Sequence, residues 1–97
     1  MSVIVLVNLT IKEGFLIEFK NFIKGILPDT RSFEGCQGIQ LYQNKEFPTK
    51  FTIHAKWDSV DSQKKYMTWR MEIGSFDKLQ PMLSGDFDMQ FYEIFDA

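Results

Sequence analysis

The sequence predicts a single α+β domain in which helices cover one face of a four-stranded antiparallel sheet. Residues 1–97 have the length of one domain. Four segments are rich in β-branched or alternating apolar residues, as is typical of strands, and two segments between them show helical periodicity. Their order, β-α-β-β-α-β, is that of the split unit found in ferredoxin-like folds.

The first strand is predicted over residues 3–11, VIVLVNLTI, because this run is aliphatic and β-branched. Its alternate residues form two faces, and both are apolar at the start. Such a strand needs a layer on each side, and the chain's own helices supply one. Since 44% of the chain is hydrophobic, a heavy load for this size, we expect a two-fold homodimer, sheet against sheet, to supply the other.

Apolar residues at helical spacing predict the first helix, and polar side chains fill its outer face. Pro28 lacks a backbone N–H, so we expect the helix to kink or restart near Leu27, with one more turn before Glu34. The apolar positions are Phe15, Phe19, Phe22, Ile23 and Ile26.

The middle of the chain predicts a β-hairpin. Residues 36–44 alternate loosely, whereas residues 50–57, KFTIHAKW, alternate clearly between an apolar face that includes Trp57 and a polar face that includes His54. A short polar loop joins the two strands.

The segment that follows Trp57 is predicted to form two helices and the last strand. Asp58 or Ser59 is expected to cap a second helix that stops at Gly74. Ser75 is predicted to cap a short third helix, and residues 86–95 alternate as a closing strand.

The second helix is predicted to turn two polar residues inward. At about 100° per residue, Gln63 and Arg70 fall within the mostly apolar arc of the helix. An inward arginine flanked by Tyr66, Trp57 and Trp69 indicates the wall of a pocket rather than a plain core.

The bulk composition excludes several classes of partner. Net charge is −2 and no basic stripe exists, so nucleic acid is not expected as a partner. Apolar runs fall far below the roughly 20 residues of a membrane span, and no signal peptide is visible. Cys36, the single cysteine, forms no internal disulfide and belongs to no metal-spaced ligand set. We therefore expect a cytoplasmic protein with no membrane partner and no metal site.

Several segments resemble the antibiotic biosynthesis monooxygenase-like family of dimeric α/β barrels. They are ILPDTRSFEGCQG, the junction Trp57-Asp58-Ser59, and YMTWRMEIG with the segment after it. The resemblance implies a sheet-on-sheet dimer with one pocket per subunit between helices and sheet. It also implies chemistry, since some members oxygenate phenolic or quinol-type rings with dioxygen and without metal or flavin. Related barrels bind and degrade haem.

The resemblance carries over to individual residues. Trp57 matches the family's tryptophan at the end of the third strand. Many members place a histidine nine residues later, where this chain has Tyr66, which argues against a histidine-based mechanism. Haem-degrading relatives use an asparagine on the first strand, and Asn8 lies on that strand.

These observations predict a cofactor-independent monooxygenase that oxidises a small phenolic or quinol-like aromatic, with dioxygen as co-substrate. Arg70 is predicted to stabilise the substrate's anion, and Tyr66 to hydrogen-bond the oxygen that gains charge, as the catalytic pair. The predicted substrate-binding residues are Trp57, Trp69, Gln63, Asn8 and Met67.

Two other functions fit the same sequence. Because no general base accompanies the catalytic pair, the alternative is a barrel that binds a small molecule without turnover, and the third is haem binding or degradation. Arg70 could instead pair with a carboxylate such as Asp88 or Glu93. His54, the only histidine, is expected opposite Trp57 in a structural or exposed role.

Overall fold

The computed structural model describes residues 2–96, which form four strands and three helices joined by short loops. None of the helices in this range combines the length and apolarity that crossing a bilayer requires. The elements are β1 (Val3–Thr10), α1 (Leu16–Ser32), β2 (Cys36–Gln43), β3 (Lys50–Trp57), α2 (Val60–Glu72), α3 (Ser75–Leu79) and β4 (Asp88–Tyr92).

The strands form one antiparallel sheet in the order β2-β3-β1-β4. β1 pairs with β3 from Val3 opposite Trp57 to Thr10 opposite Lys50, and with β4 through pairs such as Val7 opposite Met89. The predicted fold class and the β2–β3 hairpin are therefore confirmed. Because β1 and β3 are central, their helix-facing residues form the floor beneath α1 and α2.

The core between sheet and helices consists of two clusters. One lies under α1 around Phe19 and Phe51, and the other lies at the opposite end of the sheet around Trp57. Val7 packs against both clusters, so it marks the place where they meet. The candidate site described below occupies this meeting place.

The first helix is longer than the sequence predicts. α1 runs through Pro28 to Ser32 as one helix and does not restart at Leu27. Pro28 is exposed, so its ring meets water rather than packed side chains, and the helix loses one N–H donor there. Buried residues on both sides, Ile23 and Thr30, keep the two halves against the rest of the protein.

The junction between β3 and α2 is fixed by the turn that follows α1. The Asp58 N–H donates to the Gly35 carbonyl at 2.8 Å, and Ser59 caps α2 by accepting from the Ser62 N–H at 3.1 Å. A hydrogen bond from the Ser62 hydroxyl favours the ionised carboxylate and lowers the pKa of Asp58. These contacts set the direction in which α2 crosses the sheet, and they identify Ser59 as the N-cap.

The second face of the sheet carries no helix within residues 2–96. On β1 this open face presents Ile4 and Leu6, which are half-buried, and then Asn8, which is exposed. Tyr92 lies beside Ile4 on the neighbouring strand β4, and Tyr42 lies on the outer strand β2, beyond β3. The face is apolar at one end and polar at the other, and a second copy of the chain covering it stays a prediction.

Candidate active site

A cavity of about 130 Å³ lies between the helices and the sheet, where the two core clusters meet. Its walls are mostly aliphatic and aromatic side chains, among them Val7 and Trp57. An engineered apolar cavity of about 150 Å³ binds benzene, so this one has room for a single ring. The polar side chains on its walls are Thr30, Gln63, Tyr66, Arg70 and Ser75.

Arg70 is held by groups from both long helices. Its side chain is only 2% exposed. Nε donates to the Tyr66 hydroxyl at 2.8 Å and Nη1 donates to the Ser75 hydroxyl at 3.3 Å. Nη2 donates to the Ile26 carbonyl at 2.9 Å and to the Thr30 hydroxyl at 3.0 Å. The guanidinium therefore bridges α2, α3 and α1 beside the cavity.

The Arg70 guanidinium has no carboxylate partner among the described residues. All of its hydrogen bonds go to neutral oxygens, and no acidic side chain lines the cavity. The suggested pairing with Asp88 or Glu93 is therefore wrong: Asp88 lies on the open face and accepts from Asn8 at 3.4 Å. Because a guanidinium is always protonated, the cavity wall carries one positive charge that no side chain of residues 2–96 neutralises.

The aromatic residues divide between the cavity and the surface. Trp57 and Tyr66 both line the cavity, and their ring centroids are 5.0 Å apart. Trp69 lies outside it, against Phe33, with the Arg70 guanidinium carbon 4.6 Å from its ring centroid. Its predicted contact with substrate is thus corrected, because residues 69 and 70 point about 100° apart on a helix and only Arg70 turns inward.

Gln63 lines the cavity with a side chain whose amide oxygen accepts no hydrogen bond within residues 2–96. The side chain is 4% exposed, and its Nε2 donates only to the sulfur of Met89, a weak acceptor, at 3.9 Å. Every fully buried side-chain nitrogen or oxygen within residues 2–96 has a hydrogen-bond partner. Gln63 Oε1 accepts no hydrogen bond there, so it must keep accessible surface, and the space that this side chain lines is the cavity. Met67 lines the same cavity one turn further along α2.

Two polar residues that could take part in catalysis, Asn8 and His54, lie on the open face of the sheet, away from the cavity. Asn8 does not line the cavity. Side chains alternate between the two faces of a strand, and the β1 residues that line the cavity, such as Val7, lie on the face opposite to Asn8. It accepts from the Thr52 hydroxyl at 2.7 Å instead, so its predicted substrate contact is corrected. His54 lies on the same open face, with its Nδ1 3.0 Å from the Tyr42 hydroxyl.

Sequence reasoning missed two polar residues of the cavity. Thr30 continues the spacing of Phe19, Ile23 and Ile26 by one more helical turn, but the kink or restart predicted near Leu27 hides this continuity. Ser75 does not cap α3, whose N-cap is Gly74; its hydroxyl accepts from Arg70 instead. No pattern in the sequence distinguishes that role from capping.

Across the described part of the chain, no group of three or more His, Cys, Asp or Glu side chains is placed to hold a metal ion.

Comparison with known proteins places the chain in a family. The family model for antibiotic biosynthesis monooxygenase matches residues 2–69, a segment that includes Thr30, Gln63 and Tyr66 and stops one residue before Arg70. No curated protein matches the chain significantly.

Solved structures share the fold over nearly the whole chain. A conserved protein from Methanosarcina mazei Go1 is 23% identical with a TM-score of 0.87, covering 95% of this chain and 91% of that one. A protein from Mycobacterium tuberculosis is 11% identical with a TM-score of 0.89, covering 100% and 98%. SnoaB, a cofactor-independent oxygenase from Streptomyces nogalater, is 11% identical with a TM-score of 0.86, covering 99% and 95%. With its sequence matched over residues 2–69, the chain belongs to the antibiotic biosynthesis monooxygenase family.

Proposed function

We propose that this protein is a cofactor-independent monooxygenase that oxidises a small phenolic or quinol-like substrate with dioxygen. The observation that carries the proposal is an apolar cavity of about 130 Å³ with a single buried cation, Arg70, on its wall. Family membership supports the reaction class. One structural relative is itself a cofactor-independent oxygenase, which is compatible with it.

The reaction needs no external reductant. Ground-state dioxygen is a triplet and reacts slowly with closed-shell molecules, but an electron-rich phenolate can transfer one electron to it. For a hydroquinone, recombination of the resulting pair at a ring carbon and loss of water gives a hydroxyquinone. One oxygen atom enters the ring, the other leaves as water, and the substrate supplies all four electrons.

Arg70 would make the phenolate accessible near neutral pH. A phenol has a pKa of about 10. A cation about 4 Å from the oxygen, at an effective dielectric constant of about 20, contributes roughly 4 kcal/mol to the anion. At about 1.36 kcal/mol for each pKa unit, this effect brings the phenol to about pKa 7. The apolar walls would keep water away from the radical pair after the first electron transfer.

The Tyr66 hydroxyl can serve as a second donor to the substrate. Its oxygen lies 2.7 Å from the Thr30 hydroxyl, a distance at which either group can donate. When Thr30 turns its single proton from the Ile26 carbonyl to the Tyr66 oxygen, the proton of Tyr66 is free to turn towards the cavity. The aromatic faces of Tyr66 and Trp57 would hold the substrate's ring.

A second candidate function is binding without turnover. Within residues 2–96, the side chains that line the cavity include no Asp, Glu or His, so a bound phenol would have to lose its proton to water. This observation favours a sensing or carrier role over catalysis. Haem binding is not favoured. The cavity has room for one ring, whereas haem contains four pyrroles, and His54 lies on the open face of the sheet, away from the cavity.

Oxygen consumption with a panel of hydroquinones tests the proposal. We expect uptake of dioxygen and, with ¹⁸O₂, incorporation of one labelled atom into the product by mass spectrometry. Arg70→Met should lower kcat/KM by about 10² to 10³, as loss of one oxyanion contact does. Lys64→Met, which removes an exposed cation from the same helix, should have no effect.

Two results would count against the oxygenase. The oxygenase function would be ruled out if no hydroquinone caused uptake of dioxygen, or if the wild type and Arg70→Met had equal kcat/KM. Thermal stabilisation by a hydroquinone without uptake or product would favour the binding function instead.

A further inference from the structure

We infer that the cavity binds its ligand as a single-ring phenolate, with the oxyanion on Arg70 and Ser75 and a second polar group of the ligand, para to it, on Gln63. The inference rests on the proposed function in one respect, that this cavity is the substrate site. It adds the size of the ligand, its charge and the positions of its polar atoms.

Two hydrogen-bond donors on the cavity wall, one on Arg70 and one on Ser75, have no acceptor among residues 2–96. A guanidinium has five N–H groups, and Arg70 donates four of them to protein oxygens, so the remaining one is on Nη1. Nη1 also donates to the Ser75 hydroxyl. That hydroxyl accepts from Arg70, and its own proton goes to no acceptor among the described residues. Two unused donors therefore lie side by side.

This arrangement suits a single oxygen rather than a carboxylate. Arginine recognises carboxylates through two parallel N–H groups on one edge. In Arg70, Nε is committed to Tyr66, and both protons of Nη2 are committed to Ile26 and Thr30. One N–H and one O–H remain, and together they can hold one oxyanion such as that of a phenolate.

The charge and volume of the cavity set the other limits. Among residues 2–96, Arg70 is the only charged side chain on the cavity walls, so a ligand with one negative charge would leave the site neutral. The volume of about 130 Å³ is close to that of the engineered cavity that holds benzene, so we assign a ligand with one ring.

Gln63 provides the second polar contact. It lies seven residues before Arg70 on α2, two helical turns or about 10 Å along the axis, and both side chains face the cavity. Its Oε1 is unpaired and its Nε2 has only a weak sulfur acceptor. Because the two residues begin two turns apart, we assign the second polar group of the ligand to the end of the ring opposite the oxyanion, the para position.

Binding of 4-nitrophenol to the intact protein under argon tests the inference, because the spectrum of this dye reports its protonation state. We expect the pKa of the bound dye to be about 1 to 3 lower than that of the free dye. At a pH at which all four compounds are ionised, we also expect Kd to be at least tenfold higher for benzoate, for 3-nitrophenol and for the two-ring 4-nitro-1-naphthol than for 4-nitrophenol.

Variants that keep the Arg70 network largely intact assign the contacts. Ser75→Ala should weaken binding of the phenolate about tenfold and leave binding of 4-nitroanisole, which has no acidic proton, unchanged. Gln63→Leu should abolish the preference for 4-nitrophenol over 3-nitrophenol. Ser84→Ala, an exposed serine in the following loop, is the matched control and should change neither.

Three results would overturn the inference: no binding of 4-nitrophenol, binding of the neutral dye alone, or equal or tighter binding of benzoate or of the naphthol. All are measured without dioxygen, so they are separate from the proposed function. Phenolate binding without oxygen uptake by any hydroquinone would leave this inference standing and remove the oxygenase. Uptake of dioxygen with multi-ring quinols only would support the oxygenase and remove this inference about a single-ring ligand.

Discussion

The Thr30 hydroxyl joins the two helices that enclose the cavity. It is 1% exposed and contacts three groups: Arg70 Nη2, the Tyr66 hydroxyl and, at 3.3 Å, the Ile26 carbonyl. One proton and two lone pairs are enough for all three contacts. The orientation of the guanidinium therefore depends on a neutral side chain outside the helix that carries it.

Replacing this hydroxyl should lower both stability and turnover. Thr30→Val keeps the shape but leaves an Arg70 N–H and the Tyr66 hydroxyl each short of a partner. We expect the free energy of unfolding in urea to fall by about 1 to 3 kcal/mol. Thr68→Val, at an exposed position of α2, should stay within about 0.5 kcal/mol of the wild type, and equal losses in the two variants would contradict the role of Thr30.

Helical periodicity alone predicts three of the five polar side chains on the cavity wall. It placed Gln63, Tyr66 and Arg70 on one inward face because a helix repeats every 3.6 residues whatever lies around it. It could not place Asn8, since alternation along a strand defines two faces without saying which one the helices cover. The hydroxyl of Ser75 was beyond prediction as well, because its partner is five residues away in a different helix.

At the scale of elements, the turn after α1 determines where α2 begins. Gly35 has φ +93°, and a Cβ added there would lie 2.5 Å from the Cβ and Oγ of Ser62 in the first turn of α2. Glycine is therefore required both by the backbone conformation and by the close approach.

Two glycine substitutions should shift stability in opposite directions. Gly35→Ala should destabilise the protein by about 1 to 3 kcal/mol, since φ is strained and Ser62 must move. Gly25→Ala, inside α1 with no atom within 4 Å of the added Cβ, should stabilise it by about 0.5 to 1 kcal/mol. Thermal unfolding of both variants measures the difference, and a loss at Gly25 would show that alanine is not tolerated there.

The sequence predicted the type and order of every main element but not the continuity of α1. A proline inside a helix removes one donor, which argues for a break when local propensity is considered alone. The structure keeps the helix because residues on both sides of Pro28 are buried against the rest of the protein. Tertiary packing of this kind does not appear in a local pattern.

At the scale of the whole molecule, we propose that a second copy of the chain covers the open face of the sheet. Leu6 lies on the central strand β1, between His54 on β3 and Gln90 on β4. Tyr42 and Tyr92, on the outer strands, remain 47% and 48% exposed. The polar network of Asn8 and its partners would lie towards one edge of such an interface.

Light scattering coupled to size exclusion should give a mass of twice 11.4 kDa for the wild type. Leu6→Lys places a charge in the middle of the open face and should yield a monomer. Ile17→Lys, at a position that is 75% exposed on α1, should remain a dimer. A wild-type monomer at micromolar concentration, or equal effects of the two lysines, would contradict this interface.

The anchoring of Arg70 by α1 has an evolutionary consequence. The guanidinium links the two long helices beside the cavity, since it donates to the Ile26 carbonyl and the Thr30 hydroxyl of α1. A lineage selected only for stability would gain by replacing Arg70 with an apolar side chain and filling the cavity. We therefore expect the cavity to persist only in lineages in which natural selection favours the binding of a ligand there.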